Sequence, residues 1–437
     1  MKKIERLKAV FRIGVGLLIC VSVETAAAYG AVFTVNTTVD GVDAYPGNGI
    51  CATADNACTL RAAVMEANAL AGLDTIFLWF FPSPVTLTIP PGGSPGSEET
   101  TASVGDLDIK DDLFILPTAL AITATVDGGD LDRVFHIHPR VTVVIAGLTI
   151  QNGFVEHGRA GGGIRNEGVL ALISCMIRNN QSMSFSGGIG NSGELTLLNS
   201  TVFGNASIFT GGGIGNGGTL TLLSSTVEGN SAQGLGFPVG GGIHNGGTAY
   251  LTASTISGNF AGLPTYSNGG IGGGINNSGT VIVTNSTVSG NYAVFTADGI
   301  DNDGTLLMTN STIANNSGVG IRTDTTNTFL MNTIIADNHK DCFLTEAGSI
   351  SQGYNLDSDG TCNLNQPTDL PGVDPMLGSL TNNGGWTETH ALLFGSPAIN
   401  AAAPACPPTD QRGVVRPQGA RCDIGAFESE GLRRINP

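Results

Sequence analysis

A unit of twenty residues occurs twice in this chain, and the two copies begin 25 positions apart. Residues 186–205 read SGGIGNSGELTLLNSTVFGN, and residues 211–230 read GGGIGNGGTLTLLSSTVEGN. Alignment on the Gly-Ile pair extends the repeat to a column of isoleucines at Ile164, Ile189, Ile214, Ile243, Ile275, Ile300 and Ile321. A repeat of this length predicts a solenoid, in which each unit buries its apolar face against its neighbours.

Two columns of asparagine accompany the isoleucines. The first column lies two residues after the isoleucines and contains Asn166, Asn191, Asn216, Asn245, Asn277 and Asn302. The second contains Asn180, Asn205, Asn230, Asn259, Asn291, Asn316 and Asn338. Asparagine tolerates turn conformations, and stacked amide side chains can hydrogen-bond along a ladder. The columns therefore predict that successive units stack directly on one another.

Within a unit, apolar residues recur at every second position, which is the period of a β-strand with one buried face. One predicted inward row contains Leu170, Leu195, Leu220, Ala249, Val281 and Leu306. Another contains Ile177, Val202, Val227, Ile256, Val288, Ile313 and Ile334. We therefore predict an all-β chain that forms a parallel β-helix solenoid, right-handed because parallel crossovers nearly always are. Insertions at residues 234–239 and 261–270 should bulge from two coils.

The N-terminus has the layout of a secretory signal peptide, with a basic start, an apolar run over residues 13–23 and small residues at 26–31. We expect residues 1–30 to be removed on export. The formal net charge is −17, and the loss of five Lys/Arg and two Asp/Glu with this segment changes it to −20. Such a surface does not favour nucleic acid or anionic lipid. No later segment predicts a membrane span, so a secreted or cell-surface protein is expected.

Seven cysteines follow residue 30, and in an exported protein this favours disulfides. The simplest pairing joins cysteines that are close in sequence: Cys51 with Cys58, Cys342 with Cys362, and Cys406 with Cys422. Cys175 is left over. It replaces the serine of other units, two residues before the inward row, so we expect a buried and unreactive thiol. No Cys or Cys/His spacing predicts a zinc site.

The stretch CTLRAAVMEANALAGLDTIFL at residues 58–78 predicts an amphipathic helix, with Leu60, Val64, Ala67 and Ala71 on one face, followed by a strand. A β-helix exposes core and strand edges at its ends, so caps are expected there. Together with FTVNTTVDGVD and GICATADNACTLRAAVMEANA, this segment resembles the CSLREA domain, an N-terminal module of secreted β-helix proteins. Ala62 stands where that motif usually has Glu.

The C-terminal part also carries a resemblance. VDPMLGSLTNNGGWTETHALLFGSPAINAAAP and CPPTDQRGVVRPQGARCDIGAFE are similar to the choice-of-anchor Q region, and the GGxI and Asn motifs are similar to those of polymorphic outer-membrane proteins. These resemblances imply the fold and an exported location, without an assigned chemistry. The predicted organisation is a signal peptide (1–30), a CSLREA-like cap (31–82), the parallel β-helix (83–340), a disulfide-tied choice-of-anchor Q-like region (341–429) and a tail (430–437).

Pectin-lyase-like enzymes share the β-helix, so a polysaccharide lyase or glycoside hydrolase is the alternative to a binding protein, although fold alone does not decide between them. β-Elimination on a uronate needs a basic residue in the cleft. No Lys or Arg occurs between Asn179 and Ile321. The nearby arginines outside this stretch are Arg159, Arg165 and Arg178. The sequence therefore disfavours a lyase.

A hydrolase needs two or three converging carboxylates. The acids of the clear units fall mostly in different columns: Glu167, Glu194, Glu228, Asp298, Asp301 and Asp303. Only the stretch DGIDNDG gathers three of them, and a turn with Asp where other units have Gly or Asn is the preferred explanation.

Two further patterns bear on metal binding. The stretch NLDSDG at residues 355–360 resembles the start of a calcium loop, but Gln366 stands where the loop would have Glu. A turn tied by a disulfide explains it as well. His136 and His138 lie on the outward side of a strand, as a metal pair would, and two exposed polar residues on a strand would show the same spacing.

These observations predict an adhesin or a carbohydrate- or protein-binding scaffold without catalysis, and no catalytic residue, cofactor or metal ligand is assigned. The expected partner is a glycan or a cell-surface protein. The insertions carry Phe237, Tyr266 and Asn268, which are suited to contacting such a partner. A polysaccharide-degrading enzyme is the alternative.

Overall fold

The computed structural model describes residues 29–79, 83–92, 100–118, 124–156, 158–234, 236–263, 269–325, 327–345 and 350–430. Residues 1–28 of the predicted signal peptide lie outside this part of the chain, as do Tyr266, Asn268 and the tail from residue 431. The first strand begins at Tyr29 and so includes the last two residues of the predicted signal peptide.

The chain winds into a parallel β-solenoid whose coils contribute strands to as many as four sheets. Sheet 1 has twelve strands within the described residues. They stack in the order Tyr29–Val35, Leu73–Leu78, Leu113–Pro117, Thr142–Ala146, Val169–Ile173, Glu194–Leu198, Thr219–Leu223, Thr248–Thr252, Thr280–Thr284, Thr305–Thr309, Thr328–Met331 and Ile350–Ser351. Sheet 2 also has twelve strands in this part of the chain. They are Val85–Thr86, Ala124–Asp127, Leu148–Gln151, Met176–Arg178, Thr201–Phe203, Thr226–Glu228, Thr255–Ser257, Thr287–Ser289, Thr312–Ala314, Ile334–Ala336, Leu356–Asp357 and Leu370–Pro371.

Sheet 3 has ten strands in the described ranges. From the N-terminal end they are Leu107–Ile109, Phe135–Ile137, Ile164–Asn166, Ile189–Asn191, Ile214–Asn216, Ile243–Asn245, Ile275–Asn277, Ile300–Asn302, Val319–Thr323 and Lys340–Leu344. Sheet 4 is smaller, with strands Phe154–Val155, Gln181–Ser182, Ala206–Ser207, Ser231–Ala232, Phe260–Ala261 and Tyr292–Ala293. All these pairings are parallel, and an antiparallel pair, Leu377–Thr381 with Thr389–Leu392, follows the solenoid. The predicted fold class is confirmed.

The strand register confirms the columns predicted from the repeat. Ile189 pairs with Ile214, and Ile214 pairs with Ile243, so each isoleucine lies directly above the next inside the solenoid. One member of the predicted inward rows is wrong. Ile313 pairs with Ile335, whereas Ile334 lies beside Thr312 on the other face of sheet 2. This coil has two adjacent isoleucines, Ile334 and Ile335, and spacing alone assigned the inward position to the first of them.

Both asparagine columns form hydrogen-bond ladders inside the solenoid. In the second column, Asn230 Oδ1 accepts from the backbone amide of Asn205 at 3.0 Å and from Asn205 Nδ2 at 2.9 Å. Asn230 Nδ2 then donates to Asn259 Oδ1 at 3.0 Å. In the first column, Asn191 Nδ2 donates to Asn216 Oδ1 at 2.7 Å. Because these amides are buried, each one must satisfy both its donors and its acceptor, and an identical neighbour in the next coil together with backbone carbonyls such as that of Val202 does this.

A helix at Leu60–Ala69 covers the N-terminal end of the solenoid, with the Thr59 side chain as its N-cap. Leu60, Val64 and Ala67 are buried as predicted. Ala71 is exposed, because the helix has already ended and the chain is turning into the next strand of sheet 1. Within the described residues, no helix has the length and apolar character needed to cross a membrane.

Two charged residues of the helix hold the N-terminal segment in place. Arg61 is fully buried and binds both carboxylate oxygens of Asp40, at 2.7 and 3.0 Å. Glu66, also buried, accepts hydrogen bonds from the backbone amides of Gly47 and Gly49. Both glycines have positive φ, at 94° and 81°, a conformation that glycine adopts without strain. In this chain, the charged residues of the CTLRAAVMEANA segment therefore have a structural role.

The cysteines pair as the spacing predicted. The structure confirms the disulfides Cys342–Cys362 and Cys406–Cys422 in the C-terminal region, and it also joins Cys51 to Cys58 beside the helix. Cys175 is the free cysteine of the described chain and is buried.

The C-terminal region folds back along the outer face of sheet 2. Thr287 Oγ1 donates to Gln411 Oε1 at 2.7 Å, and the Asn285 side chain donates to the Thr409 carbonyl at 2.8 Å. Its contacts reach consecutive coils, from the Ala253 carbonyl through Thr312 to the Asn332 side chain. Ile334 belongs to the apolar cluster beneath this region, which explains why it faces away from the solenoid interior. The C-terminal region, which was expected to cap the end of the solenoid, therefore also covers the outer face of sheet 2.

Candidate functional site

The outer face of sheet 3 carries one column of outward-facing residues. In its short strands the first and third residues face the interior, so the middle residue points outward. From the N-terminal end, the column contains Asp108, His136, Arg165, Gly190, Gly215, His244, Asn276, Asp301, Arg322 and Phe343. Polar side chains therefore lie on both sides of a central pair of glycines.

The two glycines open a groove of about 410 Å³ across the middle of sheet 3. Gly190 and Gly215 form its floor, Arg165 lies at one end and His244 at the other. Neither glycine has a positive φ, and neighbouring coils carry Arg165, His244 and Asn276 at the same position. The backbone dihedrals therefore do not require glycine here, although an added Cβ would clash with Ser186 Oγ at Gly215 and would lie 3.2 Å from the Gly161 amide nitrogen at Gly190. The two glycines leave this part of the outer face without side chains.

Exposed aromatic side chains follow the same corner of the solenoid. Phe185 lines the groove and is 43% exposed, and its ring lies 5.7 Å from that of Phe209. Further along, Phe237 contacts Phe295 with ring centroids 6.5 Å apart. We call these four residues the aromatic edge, since each lies in the segment that leads into a strand of sheet 3. Sequence reasoning found Phe237, but it missed the other three because nothing in the repeat pattern showed that they line a groove.

His244 has a fixed tautomer. Asn276 lies 2.8 Å from Asp301 Oδ2. Because a carboxylate can only accept, the Asn276 atom at this contact is Nδ2, and the other amide atom, Oδ1, therefore faces His244. His244 Nδ1 lies 2.8 Å from that oxygen and must therefore donate to it. Burial lowers the pKa of His244, so the ring is neutral at pH 7. Its Nε2 is then a hydrogen-bond acceptor in a residue that lines the groove.

The groove is close to electrically neutral. Arg165 is the one Lys, Arg, Asp or Glu among the described residues that line it. Its Nη2 lies 2.6 Å from Glu167 Oε1, so its charge is compensated locally. The other two arginines that sequence analysis considered are elsewhere. Arg159 is buried against Asp132 at 2.9 Å, and Arg178 lies on sheet 2.

The three acids of DGIDNDG do not converge on one point. Asp298 accepts from the backbone amides of Ala293 and Val319, both at 2.9 Å, so it stabilises the turn. Arg322 Nη1 lies 2.6 Å from Asp301 Oδ1 and 3.8 Å from Asp303 Oδ1. Burial raises the pKa of Asp301 above its ordinary value. Of the remaining acids, Glu194 lies on sheet 1 and Glu228 on sheet 2.

The carboxylates of NLDSDG are also bound to the chain itself. Asp357 accepts from the amides of Cys362 at 2.9 Å and Gly372 at 3.2 Å. Asp359 accepts from the amide and the hydroxyl of Thr361, at 2.9 and 2.7 Å. These bonds are those of a turn tied by the Cys342–Cys362 disulfide.

His136 and His138 are not two independent exposed residues. His136 is 3% exposed, and the two rings stack with centroids 4.1 Å apart. Both face the buried carboxylate of Asp108, which lies beside His136 in the strand register. Burial alone would raise the pKa of Asp108, but hydrogen bonds from the two histidines hold it below its ordinary value. Sequence analysis missed Asp108 because its coil precedes the clear repeats.

Cys175 faces the interior, as its place in the serine column predicted. Its backbone amide donates to Ser200 Oγ at 3.0 Å, and its Sγ donates to the Ile145 carbonyl at 3.3 Å. Burial raises the pKa of this thiol to about 11. A thiol that is both inaccessible and protonated is not a nucleophile at neutral pH.

We therefore expect mature protein without residues 1–30 to show no reactive thiol in its native state and one per chain after denaturation without reductant. Thiol titration with and without denaturant measures this, and peptide mapping identifies the labelled residue. Rapid native labelling of Cys175, or its recovery in a disulfide, would contradict the inward orientation.

No protein-family model matches the chain, and no curated protein sequence matches it. The resemblances to the CSLREA domain and to the choice-of-anchor Q region therefore stay predictions. One solved structure that is similar to this chain is the crystal structure of pectate lyase Pel9A, with 16% sequence identity, a TM-score of 0.49, and coverage of 89% of this chain and 96% of that chain.

Proposed function

We propose that this protein is an exported β-helix protein that binds an uncharged glycan chain along the groove of sheet 3 without cleaving it. The observation that carries the proposal is the composition of the groove. It has a floor of two glycines, an aromatic side chain in its wall, and no carboxylate among the described lining residues. Such a surface can pack against sugar rings and offers no acid-base pair to break a glycosidic bond.

Charge favours a neutral ligand over an anionic one. The chain carries a formal net charge of −17, and the one arginine at the groove is paired with Glu167. An anionic polysaccharide would approach a like-charged surface without a set of cations to compensate its charge. An uncharged glycan meets neither this repulsion nor the cost of removing water from ionised groups.

Recognition would combine stacking and hydrogen bonds. Phe185 presents an exposed ring at the groove, and His244 Nε2 can accept from a sugar hydroxyl. Ser192 and Asn216 add polar side chains to the lining. Because coils repeat every ~4.8 Å along the axis, a polymer that lies along the solenoid would pass Arg165, the two glycines and His244 on successive coils.

Catalysis is the second candidate, and one observation favours it. Asp301 is buried with a raised pKa, and Asp303 is held near it across Arg322, so two carboxyl groups lie on the coil two levels beyond His244. A hydrolase or lyase would use such a pair as acid and base. Two features weigh against it: Arg322 already binds Asp301 directly, and both acids lie beyond His244, which separates them from the open part of the groove.

Export is supported by three features of the chain. The three disulfides fit an oxidising compartment, since such bonds persist outside the reducing cytosol. The N-terminal signal-peptide pattern and the resemblances at both ends suggest the same location. We propose the cell surface or the extracellular medium as the place where the groove meets its ligand.

We expect Phe185→Ala to weaken binding of a neutral oligosaccharide by about 3- to 10-fold, since an aromatic contact contributes ~0.5–1.5 kcal/mol beyond its buried area. The ligand is first selected on an array of glycans, and titration calorimetry then measures its affinity. Phe203→Ala is the matched control, because Phe203 has the same 43% exposure but lies on sheet 2.

A second variant fills the floor of the groove and leaves Phe185 in its wall unchanged. Gly190→Asn places on the floor the side chain that Asn276 carries in the same column, so the ligand loses its space. Its Cβ would lie 3.2 Å from the Gly161 amide nitrogen, which requires a small shift of that segment, and circular dichroism verifies that the solenoid has formed. Binding that survives both Phe185→Ala and Gly190→Asn would show that the groove is not the site. Depolymerisation of the glycan, abolished by Asp301→Asn, would replace this proposal with the enzymatic one.

A further inference from the structure

A buried carboxylate and two histidines meet at the N-terminal end of the outward column of sheet 3. The strand register places Asp108 beside His136, and His138 follows two residues later on the same face. Asp108 Oδ1 lies 2.5 Å from His138 Nε2 and 3.2 Å from His136 Nδ1. One possible ligand atom from each residue falls within a group that spans at most 4.8 Å. The cluster lies one coil beyond Arg165, outside the described lining of the groove.

A second carboxylate orients one of the imidazoles. His136 Nε2 lies 3.3 Å from Glu167 Oε2, and Glu167 is itself held by Arg165. A carboxylate at this nitrogen favours the tautomer in which Nε2 carries the hydrogen, so an ion that replaced the proton between His136 Nδ1 and Asp108 would find the lone pair of Nδ1 available. Histidines that bind metals commonly donate their other ring N–H to a carboxylate in this way.

We propose that Asp108, His136 and His138 form a binding site for one divalent transition-metal ion, with zinc as the ion that fits best. Two imidazoles and one carboxylate are a common ligand set for Zn²⁺ sites that keep an open fourth position. The ion would bind Asp108 through a carboxylate oxygen, His136 through Nδ1 and His138 through Nε2. The cluster contains no thiolate, so export into an oxidising compartment does not threaten the ligands.

The two distances to Asp108 are each within about 1 Å of those in a tetrahedral zinc site. Ligand atoms at ~2.0–2.2 Å from a tetrahedral zinc ion lie about 3.4 Å from one another. The separation of Asp108 and His136 is already close to this, at 3.2 Å. His138 must withdraw by roughly 1 Å from its 2.5 Å contact, and it is the member with freedom to do so, with 18% of its side chain exposed. Asp108 Oδ2 is buried without a hydrogen-bond partner among the described residues, so a rotated carboxylate has a second oxygen to offer.

The competing explanation is a set of hydrogen bonds without an ion. In that case Asp108 would accept from both histidines and the cluster would only join two coils. The two explanations predict different results with Zn²⁺. A metal site binds one ion per chain and loses that binding when His138 is replaced, whereas a set of hydrogen bonds does not bind the ion.

The test uses the full mature chain without a polyhistidine tag, after treatment with a chelator. Titration calorimetry with Zn²⁺ measures stoichiometry and affinity, and the visible absorption of Co²⁺ in place of Zn²⁺ reports four-coordinate geometry. We expect one ion per chain, a loss of binding in His138→Gln, and a reduction of about 10- to 100-fold in Glu167→Gln, which removes the charge that orients His136. His339→Gln is the matched control, since His339 is exposed on a distant coil and should leave binding unchanged.

Circular dichroism of each variant verifies that the solenoid has formed, and His138 is substituted because its partial exposure makes it the member least needed for packing. Absence of Zn²⁺ binding by the folded chain would overturn the proposal, as would binding that persists in folded His138→Gln. A rise in melting temperature with Zn²⁺ that His138→Gln abolishes would support it independently of calorimetry.

Discussion

Ile214→Asp is expected to prevent the chain from folding. Ile214 is fully buried and lies between Ile189 and Ile243, so a carboxylate at this position would be surrounded by apolar side chains on neighbouring coils. An unpaired charge in such a place costs several kcal/mol, and most proteins have only ~5–15 kcal/mol of stability in total. A shift of the strand by one residue would expose the new side chain, but it would also turn Asn216 outward. The hydrogen bond from Asn216 to Asn245 would then be lost, so the shift is not expected.

The matched control is Thr221→Asp, which places the same charge on the same coil. Thr221 lies at an outward position of its strand in sheet 1, so water can solvate the carboxylate and the effect should stay within about 1 kcal/mol. Soluble yield, far-UV circular dichroism and thermal melting compare the two variants. A soluble Ile214→Asp variant that melts with the parent protein would contradict the inward orientation of the isoleucine column.

Arg61→Met is expected to lower the free energy of unfolding by about 3–5 kcal/mol. The change removes a charge but keeps a long apolar side chain in the helix. Asp40, of which only 1% of the side chain is exposed, would lose both of its hydrogen bonds to the guanidinium and stay buried as an uncompensated anion. The carbonyls of Ala102 and Gly105 would lose their donors as well, at 2.9 and 2.8 Å.

Chemical denaturation measures this difference, with Arg421→Met as the control because Arg421 is exposed. A double variant that adds Asp40→Asn should recover part of the loss, since the buried anion is then absent while the Thr88 and Ile89 amides keep a hydrogen-bond acceptor. A loss below about 1 kcal/mol in Arg61→Met would mean that the pair is solvated and that the helix is held by its apolar face alone.

The repeat made the interior of the solenoid predictable. Stacked coils give identical surroundings to equivalent residues, so a residue that fits at Ile214 also fits one level above and below, and the column is visible without coordinates. The same logic located Cys175 in the serine column. It failed for Ile334, where the C-terminal region supplies a second apolar environment that the repeat pattern does not encode.

The candidate site was much less visible in the sequence. Gly190 and Gly215 resemble the many turn glycines around them, and only the register shows that they replace outward side chains and so open a groove. The histidine cluster depends on Asp108, which lies in an irregular early coil 28 residues before His136. Sites of this kind are formed by positions that depart from the repeat, and the repeat carries no information about them.

The C-terminal region also constrains how such a chain can evolve. It forms hydrogen bonds with successive coils, at Ala253, Asn285, Thr312 and Asn332. The spacing of its bonding groups therefore has to match the spacing of those coils. Duplication or loss of one coil within that span would displace every later contact by ~4.8 Å. The coils before Ala253 are free of this constraint, because each needs only its neighbours. The two similar units, residues 186–205 and 211–230, lie in that unconstrained part. Duplication of a coil there leaves the contacts between the C-terminal region and the later coils unchanged.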